Sequence, residues 1–441
     1  MYEGKTHTLF LRHAVPQMLG LLFNSVYLIV DGIFIGNRLG RDAMAAAAVA
    51  VPLIEVIIAI SLAVSAGAGA ILSGCLGAGD RERAVKVCNT AVRVLAVIGL
   101  LIMALGNLFI SPIAELLGAT PDIYEDAVRY LRYIITCSPF LLFSFLLGGL
   151  VRNDGRPKLA MFALTFGSVS NMVLDYVFMY PLNMGIGGAA LATALGPIFS
   201  VLILLPHFLF ARGNLCFACG PMEFQMARKI LYLGIPSFIM EFSIGIVTFV
   251  YNSAIVKYGG GELGLAAYLL IGYLMLIILT LFLGLAEGLQ PIFSYFLGAG
   301  QWERSQAMRR FAGQVFLLLG VLCYGYVLLF SKSFYAIFTK NDFELITFAA
   351  EKSRVYFWGF FLAGFNILMI SYWQATQQTK QALATSLLRS IIFPPLLITL
   401  FPLLLDGETI WVCHSLAEAL TAGAAVLMGK NLRDHCVDAV S

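Results

Sequence analysis

The sequence predicts an all-α integral membrane protein, with twelve transmembrane helices in two six-helix lobes related by a pseudo-two-fold axis along the membrane normal. Three observations predict it. The chain is 60% hydrophobic and 12% charged, against about 25% charged for an ordinary soluble domain. Apolar runs of about 18 or more residues, each able to cross ~30 Å of hydrocarbon, recur along its whole length. And the chain repeats itself. Leu76–Gly79 and Leu297–Gly300 both read L-G-A-G, 221 residues apart. At the same offset Ala45-Ala46 matches Ala266-Ala267 and Asp31 matches Asn252, while Lys158 and Lys380 match at 222. Six predicted helices separate the two L-G-A-G copies. Six is even, so the halves run the same way through the bilayer, the parallel-repeat case.

The twelve runs follow in order. Run one, 13–36, carries Pro16, Tyr27 and Asp31. Run two, 49–74, closes on the first L-G-A-G, whose glycines permit a tight turn. Run three, 87–110, leads into a loop at 111–127 with Glu115, Asp122, Glu125 and Asp126. Run four, 128–150, ends at R-N-D-G-R-P-K. Run five, 159–181, holds Asn171 and Asp175, and run six, 189–211, holds Thr193. Residues 212–230, with Arg212-Gly213-Asn214, Gly220-Pro221 and a basic close, read as the linker between an N-lobe (1–211) and a C-lobe (231–441). Run seven, 232–257, carries Met240, Glu241 and Tyr251. Run eight, 263–296, carries Glu287 and Gln290-Pro291 and closes on the second L-G-A-G. Runs nine to twelve are 308–330, 353–375, 380–405 and 409–428.

With the N-terminus placed inside, inner segments hold seventeen Lys and Arg, including Arg152, and outer segments nine, including Lys340. The excess is expected to put both termini in the cytoplasm. Arg433 is among the inner residues. No nucleic-acid partner is expected, because the basic residues sit in loops facing a membrane. The first run has no small-residue cleavage site and is expected to stay in the mature chain. Cys216 and Cys219 form a lone C-x-x-C without partners for a metal or redox role.

Chemistry should lie with the intramembrane polar residues, which are costly in hydrocarbon and face cavities. Asp31, Asn171, Asp175 and Thr193 come from three runs. Asn171 and Asp175 are i, i+4 and share a helix face. Counting ~1.5 Å per residue, Asp31 lies ~7 Å, Asp175 ~9 Å, Thr193 ~6 Å and Asn171 ~15 Å from the outer ends. Two carboxylates, an amide and a hydroxyl suit Na⁺, which wants oxygen ligands, and could equally hold a proton. In the second half the equivalent residues are Asn252 and the apolar stretch Ile392–Leu396, so the ion chemistry belongs to one lobe. Glu241, ~13 Å into its helix, and Glu287 with Gln290 are candidates to attract a cationic substrate. Tyr27, Met240 and Tyr251 are candidate aromatic and thioether contacts for apolar cations. Glu55 and Glu418 read as structural residues near helix ends or interfaces, Arg389 as a helix-end residue, and His414 as packed core.

At these residues a family resemblance emerges. Residues 16–40 resemble the first helix of MATE (multidrug and toxic compound extrusion) transporters. Residues 171–193, N-M-V-L-D…G-I-G-G-A-A-L-A-T, resemble their fifth and sixth helices. G-A-G-D, R-N-D-G-R-P-K and E-G-L-Q-P-I-F-S-Y-F-L-G-A-G extend the match over nearly all the chain, and the second lobe looks most like the bacterial DinF/MepA-like branch. The resemblance implies a V-shaped two-lobe fold and efflux of lipophilic, often cationic, compounds by exchange for inward H⁺ or Na⁺. It implies that Asp31 is the protonatable first-helix aspartate, that Asn171, Asp175 and Thr193 complete its cation site, and that helix 1 bends at Pro16 on protonation. No enzyme activity and no cofactor beyond the coupling ion are expected. The partners are small molecules and the bilayer, and the chain is expected to be a monomer. The rival reading within the superfamily is a flippase of lipid-linked intermediates. It would want several basic residues in the central cavity, whereas nearly all Lys and Arg here read as loop residues.

Overall fold

The computed structural model describes residues 4–218, 220, 223–339 and 342–430; Cys219, Lys340 and Arg433 lie outside them. Every regular element among these residues is helical. The N-terminal half contains α1 (Thr6–Leu39), α2 (Arg41–Gly77), α3 (Arg81–Leu108), the short α4 (Ile110–Leu116), α5 (Tyr124–Asn153), α6 (Pro157–Met179) and α7 (Ile186–Leu209). The C-terminal half contains α8 (Phe224–Tyr258), α9 (Gly261–Gly298), α10 (Trp302–Tyr335), α11 (Phe343–Tyr356), α12 (Phe360–Ala375), α13 (Thr379–Leu387), α14 (Phe393–Leu404) and α15 (Ile410–Lys430). A π-helical turn, Leu388–Ile392, joins α13 to α14. Eleven spans are long and apolar enough to cross a membrane, and the bent pair α11–α12 makes the twelfth.

Two expected elements differ from the sequence reading. Run ten is not one helix: α11 and α12 meet at 53°. Ser415 explains why the break is tolerated. Its Oγ accepts the Gly359 N–H at 2.8 Å and donates to the Tyr356 carbonyl at 2.5 Å, satisfying backbone groups that the bend frees. Run eleven contains the π turn just before Pro394-Pro395, whose missing N–H groups interrupt the regular ladder.

The linker is also more structured than expected. Residues 224–230 belong to α8. Residues 212–218 are tied down on the N-terminal half. Arg81 donates to the carbonyls of Gly213 and Asn214, and Asn89 exchanges hydrogen bonds with Cys216 and Ala218. The Asp154 carboxylate accepts from His207 Nε2 at 2.8 Å and from the backbone N–H groups of Asn214 and Leu215. Burial alone would push this carboxyl up; the bonds from His207, Asn214 and Leu215 outweigh it and hold Asp154 below the usual carboxylate range.

Two hydrophobic cores form. One draws on Ile35 through Leu233. The other joins Tyr251 through Ala425 with Leu9, Phe10 and Ala14 from the start of α1. Thus α1 begins in the second core and α8 begins in the first. The halves meet where α2 crosses α8 and α9, and where α1 crosses α9. These crossings need glycine. A Cβ on Gly67 would land on the Ile230 carbonyl, one on Gly234 on that of Ala63, and one on Gly298 on that of Gly74. A Cβ on Gly77 would land on the Tyr295 carbonyl, so the two L-G-A-G turns pack against each other across the interface. The tight approaches therefore gather at the end of the molecule that bears these turns, here called the turn end.

Candidate functional site

The α1–α6 and α6–α7 pairings bring the four predicted N-lobe residues together. Asp31 and Asp175 face one another within hydrogen-bonding reach. Asp175 is fully buried and Asn171 is 2% exposed. Six atoms here are buried without a hydrogen-bond partner: Asp31 Oδ1, Asn171 Oδ1 and Nδ2, both Asp175 carboxylate oxygens, and Thr193 Oγ1. Buried polar groups are normally paired, so such a concentration calls for something to fill it. Two residues join the set. Tyr27, a candidate substrate contact, shares the electrostatic field of Asp31 and Asp175. Tyr130 of α5, which no spacing flagged, reaches toward Thr193. Beside them lies a cavity of about 90 Å³ lined by Asn24, Tyr27, Glu55, Ser168, Asn171 and Thr193 among others. That volume equals the liquid share of about three waters. On the far side Phe34 and Tyr180 pack edge to face at 6.1 Å, with Arg38 over the Tyr180 ring.

A second acidic group lies between the halves. Glu241 of α8 and Glu55 of α2 are within hydrogen-bonding reach of each other, and Glu287 shares their electrostatic field. Glu55, read from sequence as a structural residue near a helix end or interface, faces Glu241 across the interface between the halves. Its position early in run two concealed that role. Deeper toward the turn end, Glu287 accepts from Gln17 at 2.8 Å and from Arg152 at 3.2 Å. Arg152, which reads from sequence as a loop residue, is 6% exposed and bridges the halves. Gln290 donates to the Ala66 carbonyl at 3.2 Å, another tie across the same interface. Pro16 is buried in α1, next to the segment where Ala14 and Met18 rest on Gly288 and Gly284.

The remaining candidates lie elsewhere. Tyr251 is buried in the second core, stacked on Tyr268 at 5.1 Å, rather than in the interface. Met240 is partly buried against that core. Arg389, read as a helix-end residue, lies in the π turn within the C-terminal half, where it pairs with Glu418 at a helix interface. His414 is packed as expected, its ring parallel to Tyr356 at 4.9 Å.

Comparison with known proteins agrees with this architecture. The MatE family model matches residues 16–177 and 236–399. The multidrug export protein MepA of Staphylococcus aureus (strain MSSA476) is 25% identical over 426 residues, covering 96% of this chain and 93% of its own length. A Staphylococcus saprophyticus protein of the same name is 24% identical over 438 residues, covering 99% and 95%. Among solved structures, an outward-facing MATE family transporter of the MOP superfamily superposes with a TM-score of 0.91 at 22% identity, covering 99% of this chain and 97% of that one. A MOP superfamily transporter from Pyrococcus furiosus, described as having a binding pocket of reversed polarity, superposes at 0.88 with 23% identity, covering 97% and 96%.

Proposed function

The chain belongs to the MatE family, the MATE multidrug export transporters, and from that premise we propose that it expels lipophilic cations in exchange for inward H⁺ or Na⁺ by alternating access. The six unpartnered polar atoms around Asp31 and Asp175 carry this reading. They form an oxygen-rich, anionic pocket that a proton or Na⁺ neutralises. The turn end is the cytoplasmic side in this reading, in keeping with its excess of Lys and Arg. Glu55, Glu241 and Glu287 then line the route of a cationic drug between the lobes. Three carboxylates, one of them paired with Arg152, suit a cation and repel the phosphates of a lipid-linked sugar.

Ion binding couples to export through α1. The same helix carries Asp31 at one end and Pro16 and Gln17 at the other, where it contacts α9. Neutralising Asp31 and Asp175 removes their mutual repulsion and lets α1 repack on α6. This displaces drug from the cleft and, through Gln17, loosens the hold on Glu287. The test is gradient-driven ethidium movement in liposomes, with ΔpH and ΔNa⁺ imposed separately, for wild type and Asp31→Asn. The expected outcome is coupled movement with one ion, reduced at least about tenfold by the variant, an effect of about 1.4 kcal/mol or more. Full coupling retained in Asp31→Asn would overturn the reading.

A further inference from the structure

The halves share a register that can be followed beyond the L-G-A-G turns. Lys158 and Lys380 match at 222. At the same offset Gly155 (φ 80°) matches Gln377 (φ 60°), so both halves make the same left-handed turn before α6 and α13. Carrying this register forward places Gly167 opposite Arg389 and Gly196 opposite Glu418.

Both pairs are contacts. In the N-lobe, Gly167 and Gly196 bring α6 and α7 together: a Cβ on Gly167 would stand 2.8 Å from the Gly196 carbonyl oxygen, and one on Gly196 3.0 Å from that of Gly167. Both glycines line the 90 Å³ cavity beside Asn171 and Thr193. In the C-lobe the same two positions carry an ion pair. Arg389 Nη2 lies 2.8 Å and Nε 3.1 Å from the two Glu418 carboxylate oxygens, and Asn366 Nδ2 donates to that carboxylate at 2.8 Å. Arg389 sits in the π turn, where the widened ladder makes room for it.

We propose that the Arg389–Glu418 pair is a tethered-cation plug. In the C-lobe it stands at the two positions where glycine lets the N-lobe helices touch, and it supplies from the chain the positive charge that the N-lobe takes from solution. Its consequence is that one lobe binds the coupling ion and the other is permanently charge-balanced. The functional half of this statement rests on the proposed N-lobe site; the plug itself does not. Removing Arg389 leaves a buried carboxylate, which must then recruit a proton or a small cation. The charged and titratable groups around Glu418 are Arg389 from the π turn, His414 on its own helix (3.9 Å) and Tyr356 from α11; α12 contributes the neutral Asn366.

The test uses full-length protein in detergent and liposomes. Thermal unfolding of wild type, Arg389→Gln and Arg389→Gln/Glu418→Gln would be followed from pH 8 to pH 5, with and without Na⁺. Arg389→Gln is expected to lose stability at pH 8 and regain it at low pH or in Na⁺, beyond any change in wild type. The double variant is expected to lose that extra dependence. If Arg389→Gln cannot be isolated at pH 8, recovery by Glu418→Gln or at pH 5 is the same positive result. Absence of extra ion dependence in Arg389→Gln, or no recovery by either route, would overturn the plug. In liposomes the folded double variant is expected to keep the wild-type coupling ion and ion-to-drug ratio; a changed ratio would overturn it as well. The unfolding measurement does not depend on Asp31, so failure of the N-lobe reading is seen separately in the Asp31→Asn experiment.

Discussion

Asn171 shows how one side chain can be decisive. It is 2% exposed, lines the N-lobe cavity, and leaves both amide atoms unpaired. A structural asparagine in a membrane helix would spend those atoms on a neighbouring helix. Replacing it with leucine removes one ligand from the proposed ion. That is expected to cost about 1–2 kcal/mol of ion binding and to raise the ion concentration for half-maximal drug exchange roughly 5- to 30-fold. Exchange titrated against Na⁺ or pH checks this, and an unchanged half-point would remove Asn171 from the site. Asp154 makes the opposite case, a carboxylate wholly engaged in structure. Its hydrogen bonds hold it below the usual range, so the stabilisation it gives is fully present above its unfolded value of about 3.9 and is lost as pH falls through its lower folded value. Asp154→Asn is expected to destabilise the fold at neutral pH by the worth of a charged hydrogen bond, about 1.5–3 kcal/mol, read as a lower melting temperature. The gap to wild type should begin to narrow below about pH 4 and vanish only below the lower folded value; a gap that does not narrow at all with acid would mean that the charge is not what holds the linker.

Among the elements, the glycine crossings decide how the lobes meet. Gly234 and Gly298 have carbonyl oxygens of α2 where a Cβ would go, and backbone cannot move aside as a flexible side chain does. Alanine at either position is therefore expected to pry the turn end apart, at about 1–3 kcal/mol. The reporter is a cysteine placed at Ser294, buried beside the second turn, and labelled with a membrane-impermeant thiol reagent. Faster labelling in Gly298→Ala than in its glycine parent is expected; equal rates would show that this contact does not hold the end closed. The sequence exposed these elements unevenly. Twelve spans, the repeat and the Asp31–Asn171–Asp175–Thr193 grouping were legible because each depends on run length, offset or helical spacing. The bend at Gly359 was not, since it depends on Ser415, far along the chain on α15. Arg152 reads as a loop residue, and the partner of Glu55 stays hidden, for the same reason. Their partners Glu241 and Glu287 lie in the other half, and no local pattern records a contact between lobes.

At the scale of the whole molecule, the lobe asymmetry bears on energetics. If the N-lobe alone exchanges its balancing charge with solution, one cycle carries one inward cation against one outward drug. A singly charged drug then makes the cycle electroneutral, and membrane voltage, worth ~2.3 kcal/mol per charge per 100 mV, does no net work. Only the chemical gradient of the coupling ion remains, about 1.4 kcal/mol per pH unit, or roughly tenfold in drug per tenfold in ion. A neutral drug would differ. Both terms would act on it, about 3.7 kcal/mol together at 100 mV and one pH unit, enough for a roughly 500-fold gradient. The prediction compares two substrates in the same liposomes under an imposed K⁺ diffusion potential, negative inside, with no gradient of H⁺ or Na⁺. Ethidium export should not respond to the potential once its passive leak is subtracted, whereas export of an uncharged substrate should. Voltage-driven ethidium export of the same size as for the neutral compound would require a second ion per cycle. The C-lobe would then have to admit one despite the Arg389–Glu418 pair.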